Sequence, residues 1–251
     1  MLLLLGGTAD ARQLAVALVG AGIPLIYSVA GLVRRPDVPC QVISGGFAQH
    51  GGLPAVIEQR AIGAILDATH PYAAQMSRTA VLAAREQDIP CWRFQRPAWQ
   101  AGEGDDWRDC EDWPELLRVL VPYQSVFLSA WLLSQEVLEG LALLAARGQR
   151  QVLRTAAAPQ HALPESMNWV KAIGPFSVQD EAALLEQYGV DALVSKNSGG
   201  EATRAKLIAA RARRIPVLML SRPKLEVHAA EFDDPAACLR EIVDWHSRAV
   251  V

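Results

Sequence analysis

Residues 2–11 have the sequence LLLLGGTADA, in which four leucines precede two glycines and a threonine. A short, unbroken apolar run is typical of a parallel strand that is buried on both faces. After the glycines, Ala11, Leu14 and Leu18 follow the spacing of one face of an amphipathic helix. The stretch therefore predicts a strand, a tight turn and a helix, which together begin a βαβ unit.

The same alternation of strand and helix signals continues along the chain. Further strands are predicted at Pro24–Ala30, Gln41–Ser44, Gly63–Thr69 and Ile89–Phe94, and later near Ser125–Ser129, Val152–Thr155, Trp169–Ile173, Val190–Ser195 and Pro216–Leu220. Helices are predicted near Leu132–Ala146, Val178–Tyr188, Glu201–Arg213 and Pro235–Trp245. Helices of about 10–15 residues between strands indicate right-handed crossovers and parallel sheets.

The segment Gln95–Pro114 interrupts this rhythm. It has three tryptophans among glycines and acidic residues and no clear period, so it is predicted to connect two domains. We therefore predict an α/β protein with domains at residues 1–97 and 98–251, parallel sheets flanked by helices, and a ligand cleft between the domains. The last strand or helix could instead join the first domain, and the pattern leaves this open.

The composition excludes several classes of protein. Hydrophobic residues make up 51% of the 251 residues, which is enough for a buried core, and the net charge is −3. No global positive field exists to attract nucleic acid or an anionic membrane, so a local group of Arg and Lys must hold any anionic ligand. No apolar run approaches the roughly 18 residues of a membrane span, and a cytoplasmic protein is expected. The four cysteines are scattered without metal-ligand spacing, so no metal site is predicted.

Gly6, Gly7, Thr8 and Asp10 form the first candidate for a cofactor site. Glycines permit a tight turn and a close backbone approach, and a helix N-terminus offers N–H groups and a positive dipole to a phosphate. The turn is not a G-x-G-x-x-G motif, because small residues take the place of the third glycine. An ordinary turn with Asp10 as the helix cap is the alternative interpretation.

The end of the second predicted strand indicates which dinucleotide binds. Residues 28–35 read SVAGLVRR and contain no acidic residue. NAD-specific folds place an acid there to bind the ribose hydroxyl, whereas positive charge favours the 2′-phosphate of NADPH. Ser28 and Arg34 are predicted to bind that phosphate, and a solvated pair of arginines, Arg34 and Arg35, is the alternative.

Two further turns carry polar residues at predicted strand ends. In DATHPY at residues 67–72, Thr69 or His70 can face the cleft, and an imidazole suits proton donation. In SKNSGG at residues 195–200, Lys196 supplies a charge for a carboxylate or phosphate, while Arg222 follows a later strand. A structural histidine and a solvated turn are the alternatives. Hydride transfer needs little beyond such groups, because the cofactor carries the chemistry.

These motifs resemble those of the precorrin-6A reductase family of cobalamin (corrin ring) biosynthesis. The resemblance extends from Leu2 to Pro223. It depends on GGTADA at residues 6–11, SVAG at 28–31, GGF at 45–47, DATHPYA at 67–73, RPAW at 96–99, GPF at 174–176 and SKNSGG at 195–200. One departure is Ser129-Ala130-Trp131, where the family often has a Thr-Gly-Arg turn.

The resemblance implies two Rossmann-like domains that hold NADPH and the tetrapyrrole precorrin-6A between them. One carbon of a ring double bond would receive a hydride and its neighbour a proton, giving precorrin-6B. Cofactor contacts are assigned to Gly6, Gly7, Thr8, Asp10, Ser28, Gly31 and Arg34. Substrate contacts are assigned to Asp67, Thr69, His70, Tyr72, Lys196, Asn197, Ser198, Gly199 and Arg222. His70 and Lys196 are the catalytic candidates, and the many carboxylates of the substrate explain the need for Lys196, Arg222 and also Lys206.

Other functions are weighed against this one. A short-chain dehydrogenase would need Tyr-x-x-x-Lys, and no tyrosine of the chain has a lysine four positions later. A two-lobed nucleotide-sugar glycosyltransferase and a non-catalytic protein that binds NADPH or a tetrapyrrole remain alternatives. Transient contacts with neighbouring enzymes of the pathway are a further expectation, and no nucleic acid or membrane partner is expected.

Overall fold

The computed structural model describes residues 1–30, 36–129, 133–226 and 228–249. The chain forms two compact units, and each is described by itself. Unit 1 comprises Met1–Pro97 and Pro223–Val251, and unit 2 comprises Ala98–Arg222. Strands and helices are numbered in chain order across both units.

Unit 1 contains a six-stranded sheet in the order β12-β5-β4-β1-β2-β3, and all its pairings are parallel. The strands are β1 (Leu2–Leu5), β2 (Leu25–Val29), β3 (Gln41–Ser44), β4 (Ala64–Asp67), β5 (Cys91–Phe94) and β12 (Glu231–Phe232). The helices are α1 (Ala9–Gly20), α2 (Leu53–Gln59), α3 (Ala74–Glu86) and α8 (Pro235–Ala249), with a 3-10 turn at Phe47–His50.

The leucines of β1 show why this sheet is covered on both faces. Successive side chains of a strand point to opposite faces, and all four leucines are at most 2% exposed. Leu2 and Leu4 pack in the cluster that includes residues of α1 and α8. Leu3 and Leu5 pack in the cluster that includes residues of α2 and α3. The apolar run therefore forms a central strand between two helical layers.

Unit 2 contains a second six-stranded parallel sheet, in the order β6-β11-β10-β7-β8-β9. The strands are β6 (Trp107–Cys110), β7 (Ser125–Ser129), β8 (Arg150–Thr155), β9 (Met167–Lys171), β10 (Ala192–Lys196) and β11 (Val217–Leu220). The helices are α4 (Trp113–Val119), α5 (Gln135–Ala145), α6 (Val178–Gln187) and α7 (Ala205–Ala212), with a 3-10 turn at Glu201–Thr203. The predicted α/β class with parallel, helix-flanked sheets is confirmed.

The boundary between the units after Pro97 lies within Gln95–Pro114, the segment predicted to connect two domains. This segment also contains β6, and Asp112 caps α4 by accepting a hydrogen bond from Glu115 N. The prediction for the end of the chain needs correction. Residues 223–251, predicted to lie in the second domain, belong to unit 1. The reason is that β12 pairs with β5 and that Cys238 and Ile242 of α8 are buried in the core around α1. In the part of the chain that the structure describes, no helix is long and apolar enough to cross a membrane.

Candidate functional site

The glycine turn of unit 1 lies between β1 and α1. A Cβ at Gly6 would overlap the ring of Tyr27, whose hydroxyl accepts a hydrogen bond from Gly7 N at 3.0 Å. Gly7 has φ +109°, a region that favours glycine, and a Cβ built on it would meet nothing within 4 Å. The turn is thus closed on the sheet side by Tyr27 and has open space in front of Gly7, into which a phosphate could fit.

Thr8 and Asp10 have structural partners of their own. The Thr8 hydroxyl accepts from Ala11 N at 3.0 Å, which caps α1, and donates to Ala68 O at 3.1 Å. Asp10 forms an ion pair with Arg96, which follows β5. The alternative of Asp10 as the helix cap is therefore wrong, because Thr8 takes that role. The first amides of α1 have no intrahelical acceptors, as at every helix N-terminus, and they suit an anion.

The predicted 2′-phosphate site is described only in part. Ser28 lies on β2 and is buried, at 4% exposure, with β1 beside it. Gly31 and Arg34 lie outside the described residues.

The DATHPY turn follows β4 and lies beside the glycine turn, because β4 pairs with β1 and Ala68 bonds with Thr8. Asp67 is buried, and its Oδ1 accepts from Thr69 N at 3.0 Å and from Thr69 Oγ1 at 2.6 Å. His70 Nδ1 accepts from Tyr72 N at 3.3 Å, which leaves the proton of the neutral ring on Nε2. The rings of His70 and Tyr72 lie 5.7 Å apart. Unit 1 thus brings together the predicted residues of both turns.

In unit 2 the SKNSGG turn follows β10 and contains Lys196 at the strand end. Burial lowers the pKa of Lys196 from its ordinary value of 10.5 to about 8, because desolvation disfavours the ammonium. Asn197 is used to hold another segment: its Oδ1 accepts from Trp99 N at 2.8 Å and its Nδ2 donates to Trp99 O at 2.9 Å. Arg222 Nε donates to Asn197 O at 2.8 Å. The turn is therefore joined to both ends of unit 2.

The rest of the SKNSGG turn is internally bonded. Ser198 is buried at 7% exposure, and its hydroxyl lies 3.1 Å from that of Thr203. Its N–H donates to Lys196 O at 2.9 Å. Gly199 has φ +72°, the left-handed region that favours glycine. These bonds give the turn a fixed shape around Lys196.

Lys206 lies behind this turn, on α7, and the sequence indicated only a general role for it. It is buried at 4% exposure, and its Nζ donates to Ser129 Oγ at 3.1 Å, at the end of β7. Its Nζ is 5.7 Å from the ring centre of Trp99. Burial is the main reason that its pKa falls to about 8, and the nearby charges of Arg154 and Lys196 lower it further.

A buried ion pair lies close to Lys206. Arg154 of β8 donates to Glu181 Oε1 of α6 at 2.7 Å, and both side chains are nearly inaccessible. The guanidinium also lies 3.8 Å from the ring centre of Phe176 and 5.0 Å from that of Phe127. Nothing in the sequence pattern pairs residues from β8 and α6, so this contact was missed. Lys206 did leave a signal, since it is a lysine on the alanine-rich face of its helix.

Within the described ranges, no group of three or more His, Cys, Asp or Glu side chains is arranged to hold a metal ion. The structure instead offers two sets of strand-end groups. In unit 1 they are a glycine turn at a helix N-terminus and a neighbouring imidazole, which suit a dinucleotide and proton transfer. In unit 2 they are cations at the ends of β10 and β11, which suit carboxylates.

Comparison with known proteins points to one family. A family model described as Precorrin-6x reductase CbiJ/CobK matches residues 1–245. The chain is 39% identical to the Precorrin-6A reductase of Rhodococcus erythropolis over 95% of each chain, and 34% identical to that of Rhodobacter capsulatus over 97% of this chain and 94% of the relative. It is 30% identical to the Cobalt-precorrin-6A reductase of Priestia megaterium, over 90% of this chain and 92% of the relative. A solved structure described as CobK precorrin-6A reductase matches with a TM-score of 0.84 and 32% identity, over 97% of this chain and 96% of that one.

Proposed function

The chain belongs to the precorrin-6x reductase family, and we propose that it reduces a ring double bond of precorrin-6A to precorrin-6B with NADPH. This is an oxidoreductase step of cobalamin biosynthesis. The family match over residues 1–245 carries the proposal, and it disfavours the glycosyltransferase and carrier alternatives. NADPH, when bound, supplies the hydride.

The glycine turn of unit 1 supports the assignment of the cofactor site. Gly6 is needed because Tyr27 occupies the space of a Cβ, and Gly7 leaves open space in front of the first amides of α1. These groups would hold the pyrophosphate, and Ser28, Gly31 and Arg34 would select the 2′-phosphate of NADPH. Thr8 would act by shaping the turn, since its hydroxyl already has two partners. Asp10 would act through Arg96, its ion-pair partner, and not by direct contact with the cofactor.

Lys196 is our choice for the proton donor. With a pKa of about 8 it is protonated at neutral pH, yet it is a stronger acid than an exposed lysine. It also carries a charge that can pair with a substrate carboxylate, as does Arg222. Asn197, Ser198 and Gly199 would position Lys196, because the bonds to Trp99 and Thr203 hold their turn in place. His70, whose neutral ring has its proton on Nε2, is the second candidate, with Asp67, Thr69 and Tyr72 shaping its turn.

We further propose that the substrate is metal-free precorrin-6A. The two relatives named for the metal-free compound are more similar to this chain than the relative from Priestia megaterium, which is named for the cobalt compound. The ratio of kcat/KM for the two compounds tests this choice. A ratio that favours cobalt-precorrin-6A would overturn it without affecting the reductase assignment.

Anaerobic incubation with NADPH and precorrin-6A tests the main proposal. We expect the NADPH absorbance to fall as the corrinoid spectrum changes, with one NADPH consumed per precorrin-6A. Binding of both compounds without turnover would support a carrier instead. Binding of a sugar nucleotide, with no change in NADPH fluorescence, would support a glycosyltransferase.

Location and partners are part of the same proposal. All four cysteines are free, which suits the reducing cytoplasm. We propose a cytoplasmic enzyme that receives its tetrapyrrole from, and passes it to, neighbouring enzymes of the pathway by transient contact. Pull-down with those enzymes, in the presence and absence of precorrin-6A, tests the contacts.

A further inference from the structure

The sequence RPAW at residues 96–99 joins two turns that the proposed function uses separately. Its first residue, Arg96, forms an ion pair with Asp10 in the first turn of α1, directly after the glycine turn. Its last residue, Trp99, is bonded to Asn197 of the SKNSGG turn. The segment therefore starts at the turn proposed for NADPH and ends at the turn proposed for the substrate.

Both ends of the segment are held by side chains. The main chain of Trp99 donates from N to Asn197 Oδ1 at 2.8 Å and accepts at O from Asn197 Nδ2 at 2.9 Å, so one amide side chain fixes both groups. The ring of Trp99 packs against the core of unit 2 and lies 5.7 Å from Lys206 Nζ. At the other end, the side chains of Arg96 and Asp10 are 17% and 28% exposed. A partly buried ion pair is screened less by water and salt than an exposed one.

The segment between these two anchors is short and stiff. Three peptide bonds join Arg96 to Trp99, so their Cα atoms can lie at most about 11 Å apart. Proline fixes its own φ and keeps the preceding residue extended, and Pro97 therefore limits the freedom of Arg96 as well. A movement of one anchor is passed to the other, because so short a chain has little slack to absorb it.

The second passage of the chain between the units is bonded to the same asparagine. Arg222, which precedes Pro223, donates from Nε to Asn197 O at 2.8 Å. Asn197 thus bonds to the segment with which the chain enters unit 2 and to the residue with which it leaves that unit. Its side chain holds the first connection and its carbonyl the second. A substitution of the side chain therefore breaks the first link and keeps the acceptor of the second.

We propose that Arg96–Trp99 is a positioning segment of the reductase, which keeps the cofactor turn and the Lys196 turn aligned. This rests on the proposed function, in which one ring carbon receives the hydride of NADPH, leaving NADP⁺, and its neighbour receives the proton of Lys196. Asp10 and Asn197 act through the segment and need not touch a reacting atom. A misplacement of about 1 Å can cost on the order of 100-fold in rate. Loss of either anchor should therefore slow the transfer and leave ligand binding nearly unchanged.

Single-turnover kinetics of Asp10→Ala, Asn197→Ala and the double variant are the first test. In each single variant we expect the rate of NADPH oxidation with saturating precorrin-6A to fall about 10- to 100-fold. The double variant should be no slower than the slower single variant, because one broken anchor already frees the segment, whereas independent structural effects would multiply. Asp10→Glu keeps the carboxylate and should keep most of the rate.

The dissociation constants of NADPH and precorrin-6A are measured on the same variants. We expect them to stay close to those of the parent, and a loss that appears in the dissociation constants and not in the rate would overturn the proposal. Asn168→Ala and Glu186→Ala are the matched controls. Asn168 is exposed on β9, and Glu186 pairs with Arg213 at the surface.

Hydrogen exchange of the ligand-free protein is the second test and needs no turnover. The N–H of Trp99 is the probe, and mass spectrometry of its peptides measures its exchange. Asn197→Ala removes the acceptor of this N–H and gives the rate of the released amide. In Asp10→Ala the acceptor is intact, yet we expect faster exchange at Trp99, because the far end of the segment is released. Glu186→Ala should exchange at Trp99 as the parent does.

The outcomes separate the two proposals. Faster exchange at Trp99 in Asp10→Ala, in a protein that does not reduce precorrin-6A, would support the link through the segment and reject the proposed function. Turnover in which the rate losses of the two substitutions multiply, with exchange at Trp99 unchanged in Asp10→Ala, would reject the role of the segment. If Asn197→Ala does not fold, Asn197→Asp replaces it, because its carboxylate can accept from Trp99 N but cannot donate to Trp99 O.

Discussion

A methyl group at Gly6 is the smallest change that tests the cofactor turn. In Gly6→Ala the new Cβ would overlap the ring of Tyr27 and displace the hydroxyl that binds Gly7 N. We expect a loss of about 1–3 kcal/mol in stability from overpacking and a rise in the NADPH dissociation constant, measured by fluorescence titration. Gly20→Ala is the control, since a Cβ there meets nothing within 4 Å. If Gly6→Ala binds NADPH with unchanged affinity, the glycine turn is not part of the cofactor site.

The buried charge of Lys206 has a consequence for the stability of the fold. Its pKa falls from 10.5 in the unfolded chain to about 8 in the fold, so the unfolded chain binds more protons between these values. The cost of the buried charge is therefore fully present below about pH 8 and is relieved as pH rises toward 10.5. Lowering a pKa by one costs the fold about 1.4 kcal/mol at a pH where the group is charged.

We therefore expect Lys206→Met to be more stable than the parent at neutral pH. The gain should shrink between about pH 8 and 10.5, because the parent loses its buried charge over that range. Urea unfolding at a series of pH values measures the difference. A gain that does not change with pH would mean that the charge is not its cause.

The residue pairs of the site show what the sequence could not predict. The glycine turn and the strand-end motifs were found because their residues are neighbours in the chain. Tyr27 and Gly7 are separated by 20 positions, Arg96 and Asp10 by 86, and Asn197 and Trp99 by 98. Such contacts depend on how the strands are ordered in the sheets, which a hydrophobic pattern does not specify.

At the scale of elements, β8 and α6 are joined by the buried pair of Arg154 and Glu181. Arg154→Met would leave the Glu181 carboxylate buried without its cation, and we expect a loss of about 3–5 kcal/mol. Adding Glu181→Leu removes the orphaned charge and should recover part of the loss. Urea denaturation followed by tryptophan fluorescence measures both variants. A double variant that is no more stable than Arg154→Met would contradict this explanation.

Burial separates the strands with the clearest sequence pattern from the two strands that the sequence analysis missed. β1 and β4 are fully buried, and their sequences are apolar except for Asp67 at the end of β4, so they were found. β6 reads WRDC with two exposed residues, and β12 has only two residues, neither of them buried. Both lie at an edge of a sheet, where a strand needs less apolar surface. Their pattern is therefore too weak to be distinguished from a loop.

At the scale of the whole molecule, the two sheets have the same topology with an exchanged edge. The strand order β5-β4-β1-β2-β3 in unit 1 corresponds, position by position, to the order β11-β10-β7-β8-β9 in unit 2. The sixth strand of each sheet is exchanged between the units. β6 follows β5 in the sequence but pairs with β11 of unit 2, and β12 follows β11 in the sequence but pairs with β5 of unit 1. The chain passes from one unit to the other twice, each time at an Arg-Pro pair, at residues 96–97 and 222–223. Unit 1 therefore depends on residues that are distant in the sequence.

Removal of residues 223–251 tests this dependence. The truncated chain would lose the partner of β5 and would expose the core where Cys238 and Ile242 are fully buried and Trp245 meets Trp92 at 5.6 Å. We expect unit 1 to unfold and NADPH binding to be lost, because the glycine turn lies in that unit. Fluorescence of Trp92 and NADPH titration measure the two effects, and removal of residues 249–251 alone is the control. A protein truncated after Arg222 that binds NADPH as tightly as the full chain would show that β1–β5 fold without α8, and that the pairing of β12 with β5 adds little to the stability of unit 1.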